Sequence, residues 1–345
     1  MCYGQANFDE KRGCSLKDRL ITVLKIVVSL GLIVYLFTRM DLAQVGSLLN
    51  AANYWYLLPA ALLYLAAMSN AGLKWYVLLR AQGISVPFRA VLSYTYVGFF
   101  FNNFLPANVG GDVMRGYGMA RYTERAAEAA VSVVVDRIVG LMAFIFSTVI
   151  ATTVAVLVMN QEGLKGIETI ALAGFLAVAG GFAVILSRRV RDLVARVFRW
   201  KPLAPLASLY ERLSDALDAY RHSCGALALA FCLSLLTLVL TNFTDYLIAQ
   251  SLGGGMPLIY IFIFNPIIAF VLLVPISIGG LGVTQAAYPF FYGLVGVSPS
   301  LAFAVSLLKQ IVIYVTSLPG GILWLRSRAG AGEAVRPPGP ATSNN

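Results

Sequence analysis

Two short stretches of the chain combine helix-breaking residues with groups able to hold an anion. The first reads Phe101-Asn102-Asn103-Phe104-Leu105-Pro106-Ala107-Asn108-Val109-Gly110-Gly111-Asp112, and Arg115 follows one turn later. A helix beginning at Asp112, after the glycine pair, presents unpaired backbone N–H groups and the positive end of its dipole, which together cradle phosphate. Arg115 can grip the same phosphate through two N–H groups. Asp112 repels an anion unless Arg115 or Arg137 neutralises it; alternatively, Asp112 and Arg115 simply pair with each other at i, i+3. The second stretch, Val274-Pro275-Ile276-Ser277-Ile278-Gly279-Gly280, repeats the pattern of Leu105 to Gly111: apolar, proline, two residues, apolar, Gly-Gly. Broken segments at corresponding places in two halves point to the substrate site of a transporter, which predicts an internal repeat. Chance similarity between two proline–glycine breaks is the competing explanation.

The remaining charges are fewer and more ambiguous. Asp136-Arg137 opens an apolar run, and Glu128, Ser132 and Asp136 fall on one helical face. That stripe either faces Arg115 or is solvated. Asp245 and Lys309 lie inside apolar runs, where an ionisable group is costly and a partner is expected. Their similar depths predict an ion pair, which either fixes two helices or couples an ion or lipid to transport. Asp215-x2-Asp218 and His222 read as a solvated face, and Cys2, Cys14, Cys224 and Cys232 form no CxxC pair. No metal, cofactor or catalytic constellation is expected, and no GxxxxGK[ST] nucleotide loop occurs.

The elements that must position these residues follow from composition. Of 345 residues, 59% are hydrophobic and 12% charged, about half the charge of an ordinary soluble domain. Mean hydropathy is +0.78. The fold class is therefore an all-α polytopic membrane protein, and soluble enzyme folds are excluded. Apolar runs at 20–38, 54–73, 138–159, 169–187, 225–250, 258–275, 281–297 and 301–325 predict seven or eight spanning helices, each needing roughly 20 apolar residues. A further run, 88–105, has basic residues on both sides. It is predicted to dip into the bilayer and return as a broken-helix hairpin, because irregular backbone at membrane depth must be buried in protein or line a wet cavity. Segment 256–297 carries no charge and contains Pro266, Pro275, Gly279, Gly280 and Gly282; it is either two spans or a second re-entrant hairpin.

Charge placement orients the chain. The net charge is +10, and 22 of the 26 basic residues fall on one predicted face. By the positive-inside rule both termini are cytoplasmic, so the charge reads as a topology signal and no nucleic-acid partner is expected. The expected domains are a cytoplasmic segment 1–19, a membrane domain 20–325 with an amphipathic cytoplasmic loop 188–223, and a disordered tail 326–345. Within the loop, 206–221 reads as an amphipathic helix lying on the membrane.

Three motifs in this order resemble one family: Phe101-Asn102-Asn103-x-Leu105-Pro106-x3-Gly110-Gly111-Asp112-x2-Arg115, then Asp136-Arg137-x2-Gly140-Leu141, then Pro275-x-Ser277-Ile278-Gly279-Gly280-Leu281-Gly282-Val283. The chain is similar to the flippase-like transmembrane region of bacterial lysylphosphatidylglycerol synthases and their stand-alone relatives. The resemblance implies a cytoplasmic-membrane protein that handles lipids and moves them between leaflets. In the synthases a soluble aminoacyltransferase domain follows this region. Here about 20 residues follow the last expected span, so a stand-alone member without that domain is expected. Where the family usually places a basic–acidic pair after Gly-Gly-Leu-Gly-Val, this chain has Thr284-Gln285.

The expected function is translocation of an anionic phospholipid or a polyprenyl-phosphate lipid. The head-group site is expected at Asn102, Asn103, Pro106, Gly110, Gly111, Asp112, Arg115, Asp136 and Arg137, faced by Pro275, Gly279, Gly280, Gly282, Thr284 and Gln285. The alternative is a membrane enzyme, or an accessory subunit, of lipid or polyprenol-glycan modification. Phosphate-headed membrane lipids are the expected partners; a lipid-modifying enzyme and a second copy of the chain stand open as protein partners.

Overall fold

The structure is a computed structural model of the chain and describes residues 41–104, 110–157, 165–187, 204–273 and 279–329. The expected first span 20–38, Pro106, Pro275, the basic stretch 188–203 and the tail from 330 lie outside these residues.

Among the described residues there are 11 α-helices and no strand. In chain order they are α1 Leu42–Asn50, α2 Leu57–Ala81, α3 Phe88–Phe104, α4 Gly110–Thr123, α5 Ala126–Leu157, α6 Lys165–Leu186, α7 Ala204–Arg221, α8 Cys224–Ser251, α9 Leu258–Leu273, α10 Val283–Gly293 and α11 Pro299–Ala329. Five helical stretches are long and apolar enough to cross a membrane: Tyr54–Ala81, Ala126–Leu157, Glu168–Leu186, Cys224–Ser251 and Pro299–Arg326. The chain is thus an all-α, multi-pass membrane protein.

The connections divide the bundle into two ends. Helix α2 enters at Leu57 and leaves near Arg80; α5 starts beside Arg125 and runs back; α8 leaves from Arg221, and α11 arrives at Arg326. Arg89 and Arg121 close the same basic end. Asn53, Ser251 and Pro299 mark the opposite end, where the Asn53 N–H donates to the Ser251 carbonyl at 2.8 Å. There too the Asp41 carboxylate caps α1 by accepting the Gln44 N–H.

Helices α2 and α8 pack along their length. Asn70 crosslinks them, its Nδ2 donating to the Leu233 carbonyl at 2.7 Å and to Thr237 Oγ1 at 2.8 Å. A half-buried side-chain amide bonded to a carbonyl and a hydroxyl of the neighbouring helix fixes the register of two otherwise interchangeable apolar faces.

Between these long helices sit two helical hairpins. In the first, α3 and α4 run antiparallel: Tyr94 packs on Gly118 and on Tyr122, and Gly98 on Gly111. Both arms open on the basic end. In the second, α9 and α10 run antiparallel, with Phe264 against Phe291 and Asn265 against Tyr288. Both of its arms open on the opposite end. Helix α10 has 11 residues, about 16 Å of helix, roughly half of the hydrocarbon thickness. Within 281–297 the structure thus holds no helix long enough to cross a membrane alone.

Three further boundaries differ from expectation. Helix α4 begins at Gly110, two residues ahead of Asp112. Helix α11 continues to Ala329, past the expected domain edge at 325. Helix α7 does not lay its apolar face on lipid: Ala216 and Tyr220 are buried against Leu78, Val135 and Phe182. Its backbone is also tied in, since Gln82 Nε2 donates to the Ala216 carbonyl at 2.7 Å and the Tyr220 hydroxyl donates to the Leu78 carbonyl at 3.0 Å. An amphipathic period cannot distinguish lipid from the protein end as the apolar neighbour.

Candidate functional site

The two hairpins touch beside their connections, at Asn103 of the first and Gly279 of the second. Gly111 lies so close to Gly98 that a Cβ there would overlap the Gly98 carbonyl oxygen, and the absence of both side chains lets α3 and α4 touch backbone to backbone. Asn102 closes the tip, its Oδ1 accepting the Gly111 N–H at 2.8 Å. Gly279 of the second hairpin rests on the Asn103 carbonyl, where a Cβ would overlap the oxygen, and its φ of 58° falls in the left-handed region. Position 279 is thus restricted to glycine by conformation and by contact.

Below this contact, on the basic side, five ionised side chains form one buried network. Arg115 donates Nε–H to Asp112 Oδ1 at 3.0 Å and bridges to Asp136 Oδ2 at 2.6 Å. Lys74 Nζ lies 2.9 Å from Asp136 Oδ1 and donates to the Asp136 carbonyl at 3.3 Å. Arg137 Nε pairs with Asp112 Oδ2. The Arg115 guanidinium also lies over the Trp75 ring at 4.8 Å, and Trp75 Nε1 donates to Ser132 Oγ at 3.0 Å. Four of the five are buried; Arg137 keeps 48% of its side chain exposed.

Helix geometry explains the arrangement. Asp112 and Arg115 stand one turn apart on α4, and Asp136 and Arg137 follow on α5, about 15 Å from its start. Gly140, one turn beyond Asp136, leaves space into which the Lys74 ammonium reaches. Among the described residues, three cations face two carboxylates in this network, one positive charge more than negative. A charged cluster this deep is sustained by mutual pairing, and the surplus favours an anion as a further partner.

This network lines a cavity of about 400 Å³ together with Met68, Ala71, Thr95, Gly98, Phe99, Asn102, Ile138, Gly140, Leu141, Phe144 and Ala269. Helices α2 to α5 supply most of the wall, and Ala269 brings in the second hairpin. A cavity with guanidinium and ammonium donors on one side and aromatic and aliphatic groups on the other suits an amphiphile with a compact anionic head.

A second polar cluster lies in the opposite half. Asp245 of α8 and Lys309 of α11 form an ion pair, Nζ to Oδ2 at 2.7 Å. The same oxygen accepts from the Tyr288 hydroxyl at 2.8 Å and Asn265 Nδ2 at 2.6 Å. Asn265 Oδ1 accepts from Tyr288 and Tyr292, and its Nδ2 reaches Asn242 Oδ1 at 2.8 Å. Asn265 and the tyrosines belong to the second hairpin, so the ion pair clasps both of its arms to α8 and α11. Asp245 is 1% exposed, and its Oδ1 has no hydrogen-bond partner among the described residues.

The sequence-expected residues thus divide. Asn102, Asp112, Arg115, Asp136 and Arg137 line the cavity. Gly110 and Gly111 begin α4, but the Gly111 N–H is spent on Asn102 and Asp112 fills the first turn, so a bare backbone cradle is not what this helix start offers. The buried Asn103 seats Gly279, and its Nδ2 has no partner among the described residues. Gly280 and Gly282 hold left-handed turns at φ 78° and 81°. Thr284 and Gln285 are turned inward: Thr284 Oγ1 donates to the Gly280 carbonyl at 3.0 Å, and Gln285 Oε1 accepts the Gly282 N–H at 2.7 Å. They cap α10, and the wall expected from them is supplied by Ala269.

Several site residues escaped the sequence reading. Lys74 registered as a topology charge, because it directly follows the apolar run 54–73. Trp75 and Gly98 gave no local signal. Asn265, Tyr288 and Tyr292 could have been found as polar groups spaced i, i+4 along α10 and opposite it in a segment without formal charge.

Comparison with known proteins agrees with the architecture. The family model described as "Lysylphosphatidylglycerol synthase TM region" matches residues 22–320. A UPF0104 membrane protein of Pyrococcus horikoshii is 23% identical over 325 residues, covering 88% of this chain and 97% of that one. A UPF0104 membrane protein of Methanothermobacter thermautotrophicus is 26% identical over 292 residues, covering 79% and 85%.

Proposed function

The chain belongs to the lysylphosphatidylglycerol synthase TM-region family, and from that premise we propose that it moves a lipid with a phosphate head group between membrane leaflets. One observation carries the reading: the cavity of about 400 Å³ walled mostly by α2 to α5 and lined by Lys74, Arg115 and Arg137, which outnumber its carboxylates among the described residues. A head group entering it exchanges water for guanidinium and amide donors while its hydrocarbon stays in the apolar surroundings.

In this reading both hairpins are re-entrant, and the basic end faces the cytoplasm in accordance with charge placement. Hairpins entering from opposite ends and touching beside their connections match the pattern of transporters built from inverted broken-helix repeats. The Asn103–Gly279 contact is the barrier between the two halves. Passage requires that contact to part, and the Asp245–Lys309 clasp sets how readily the second hairpin moves. The chain performs no bond chemistry here, and exchange is driven by a gradient or runs downhill.

The test is leaflet exchange of fluorescent phosphatidylglycerol, phosphatidic acid and polyprenyl phosphate in proteoliposomes. The reading expects faster exchange of at least one anionic lipid than in protein-free vesicles. Equal rates with and without protein across that panel would overturn it.

A further inference from the structure

Arg137 belongs to two hollows at once. On one side it lines the charged cavity; on the other, with Asp112 and Ile138, it lines a groove of about 650 Å³ between α4 and α5. Apart from Asp112 and Arg137 the groove is apolar, with a floor of small residues such as Gly116, Ala120 and Ala130 and walls of Val113, Tyr117 and Val134. Those three wall residues are each more than half exposed. A Cβ on Gly116 would meet only Val133, at 3.4 Å, so the glycine keeps the floor low without being required by helix packing. The groove follows α4 from Val113 to Ala120, about 10 Å.

We infer that this groove takes one hydrocarbon chain of the lipid whose phosphate Arg137 contacts. The inference rests on the head-group reading above and deepens it by adding a tail site. Two features on the page select this occupant. The groove adjoins the cationic cavity, since Asp112, Arg137 and Ile138 line both, so one lipid held at Arg137 has polar and apolar surface within reach. Arg137 pairs with Asp112 through Nε, and nearly half of its side chain stays exposed at the junction, where its fixed positive charge faces the groove mouth. A peptide helix would bring polar backbone to a wall that offers no matching groups, whereas an alkyl or isoprenoid chain asks only for apolar surface.

The experiment places a reporter in the groove. Tyr117→Trp protein is reconstituted with phosphatidylglycerol or phosphatidylcholine whose acyl chains are brominated, and contact quenching is read as the difference from wild type. The inference expects the anionic lipid to quench at about fivefold lower mole fraction, the preference that one arginine near the surface confers. Arg137→Gln in the same background should erase that preference, and Gly116→Leu, which fills the floor, should reduce quenching by both lipids. Unlabelled phosphatidic acid and polyprenyl phosphate serve as competitors, and relief of quenching by either supports the site and identifies the chain class. Equal quenching by the two brominated lipids marks ordinary bilayer contact and overturns the inference, as does a preference that survives in Arg137→Gln or yields to neither competitor. Because Tyr117→Trp alone reads the preference, the test survives a failure of Arg137→Gln to fold. A preference without leaflet exchange leaves the groove standing and removes the transport reading; exchange without a preference does the reverse.

Discussion

Gly279 rests on the carbonyl of Asn103, so the residue leading into α10 is seated against the last turn of α3. A 176-residue separation in sequence closes to a backbone contact at this point. The charged cavity lies on one side of it and the Asp245 clasp on the other.

That contact makes Gly279→Ala informative. The new Cβ overlaps the Asn103 carbonyl and sits on a left-handed residue, a combination expected to cost about 1–3 kcal/mol. Thermal unfolding in detergent should show a lower midpoint. Gly180→Ala on α6, which meets nothing within 4 Å, should leave the midpoint level or raise it.

Asp136 holds two buried cations. Asp136→Asn strands Lys74 and leaves Arg115 with Asp112 as its one carboxylate among the described residues, and the loss should be about 3–5 kcal/mol. Lys74→Met leaves Asp136 still paired with Arg115 and should cost distinctly less. Denaturation of the purified variants checks the order; an equal or reversed order would contradict the assigned network.

Asp245 and Lys309 should behave as a coupled pair. Each of Asp245→Asn and Lys309→Met leaves an uncompensated partner, expected to cost about 3–5 kcal/mol. The double variant should be less destabilised than the sum of the singles, with a coupling energy of about 0.5–3 kcal/mol. Additive losses in the cycle would mean that the 2.7 Å contact carries no net energy.

Much of this was legible in the residues. The proline–glycine break after 88–105 pointed to the first hairpin, because such backbone inside an apolar chain needs protein around it; for 256–297 the residues left two spans and a hairpin equally open. Asp245 and Lys309 gave their own pairing, because a charge inside a span needs a partner. Lys74 was hidden by its neighbours: lying six residues before Arg80, it read as part of a basic flank, and only the packing of α2 beside α5 brings it onto Asp136. The cap made by Thr284 and Gln285 was hidden for another reason. A polar pair after a glycine turn serves its own helix start or a ligand equally well, and only the fold decides which. The face of α7 went astray similarly, since apolar period does not name its apolar neighbour.

Gly111→Ala tests whether the first hairpin needs its backbone contact. Its Cβ overlaps main chain at Gly98, which cannot rotate away, so the arms must separate. Over-packing of this kind is expected to cost about 1–3 kcal/mol or more, and transport should fall further than stability because Asn102 and Arg115 move with the arms. Retained exchange at wild-type rate would show that the cavity tolerates the shift.

The most direct measurement is a structure determined in nanodiscs of anionic lipid. The account predicts phosphate density within hydrogen-bonding distance of the Arg137 or Arg115 guanidinium, inside the cavity between the hairpins. Lipid density confined to the outer surface, with that cavity closed by side chains, would contradict it.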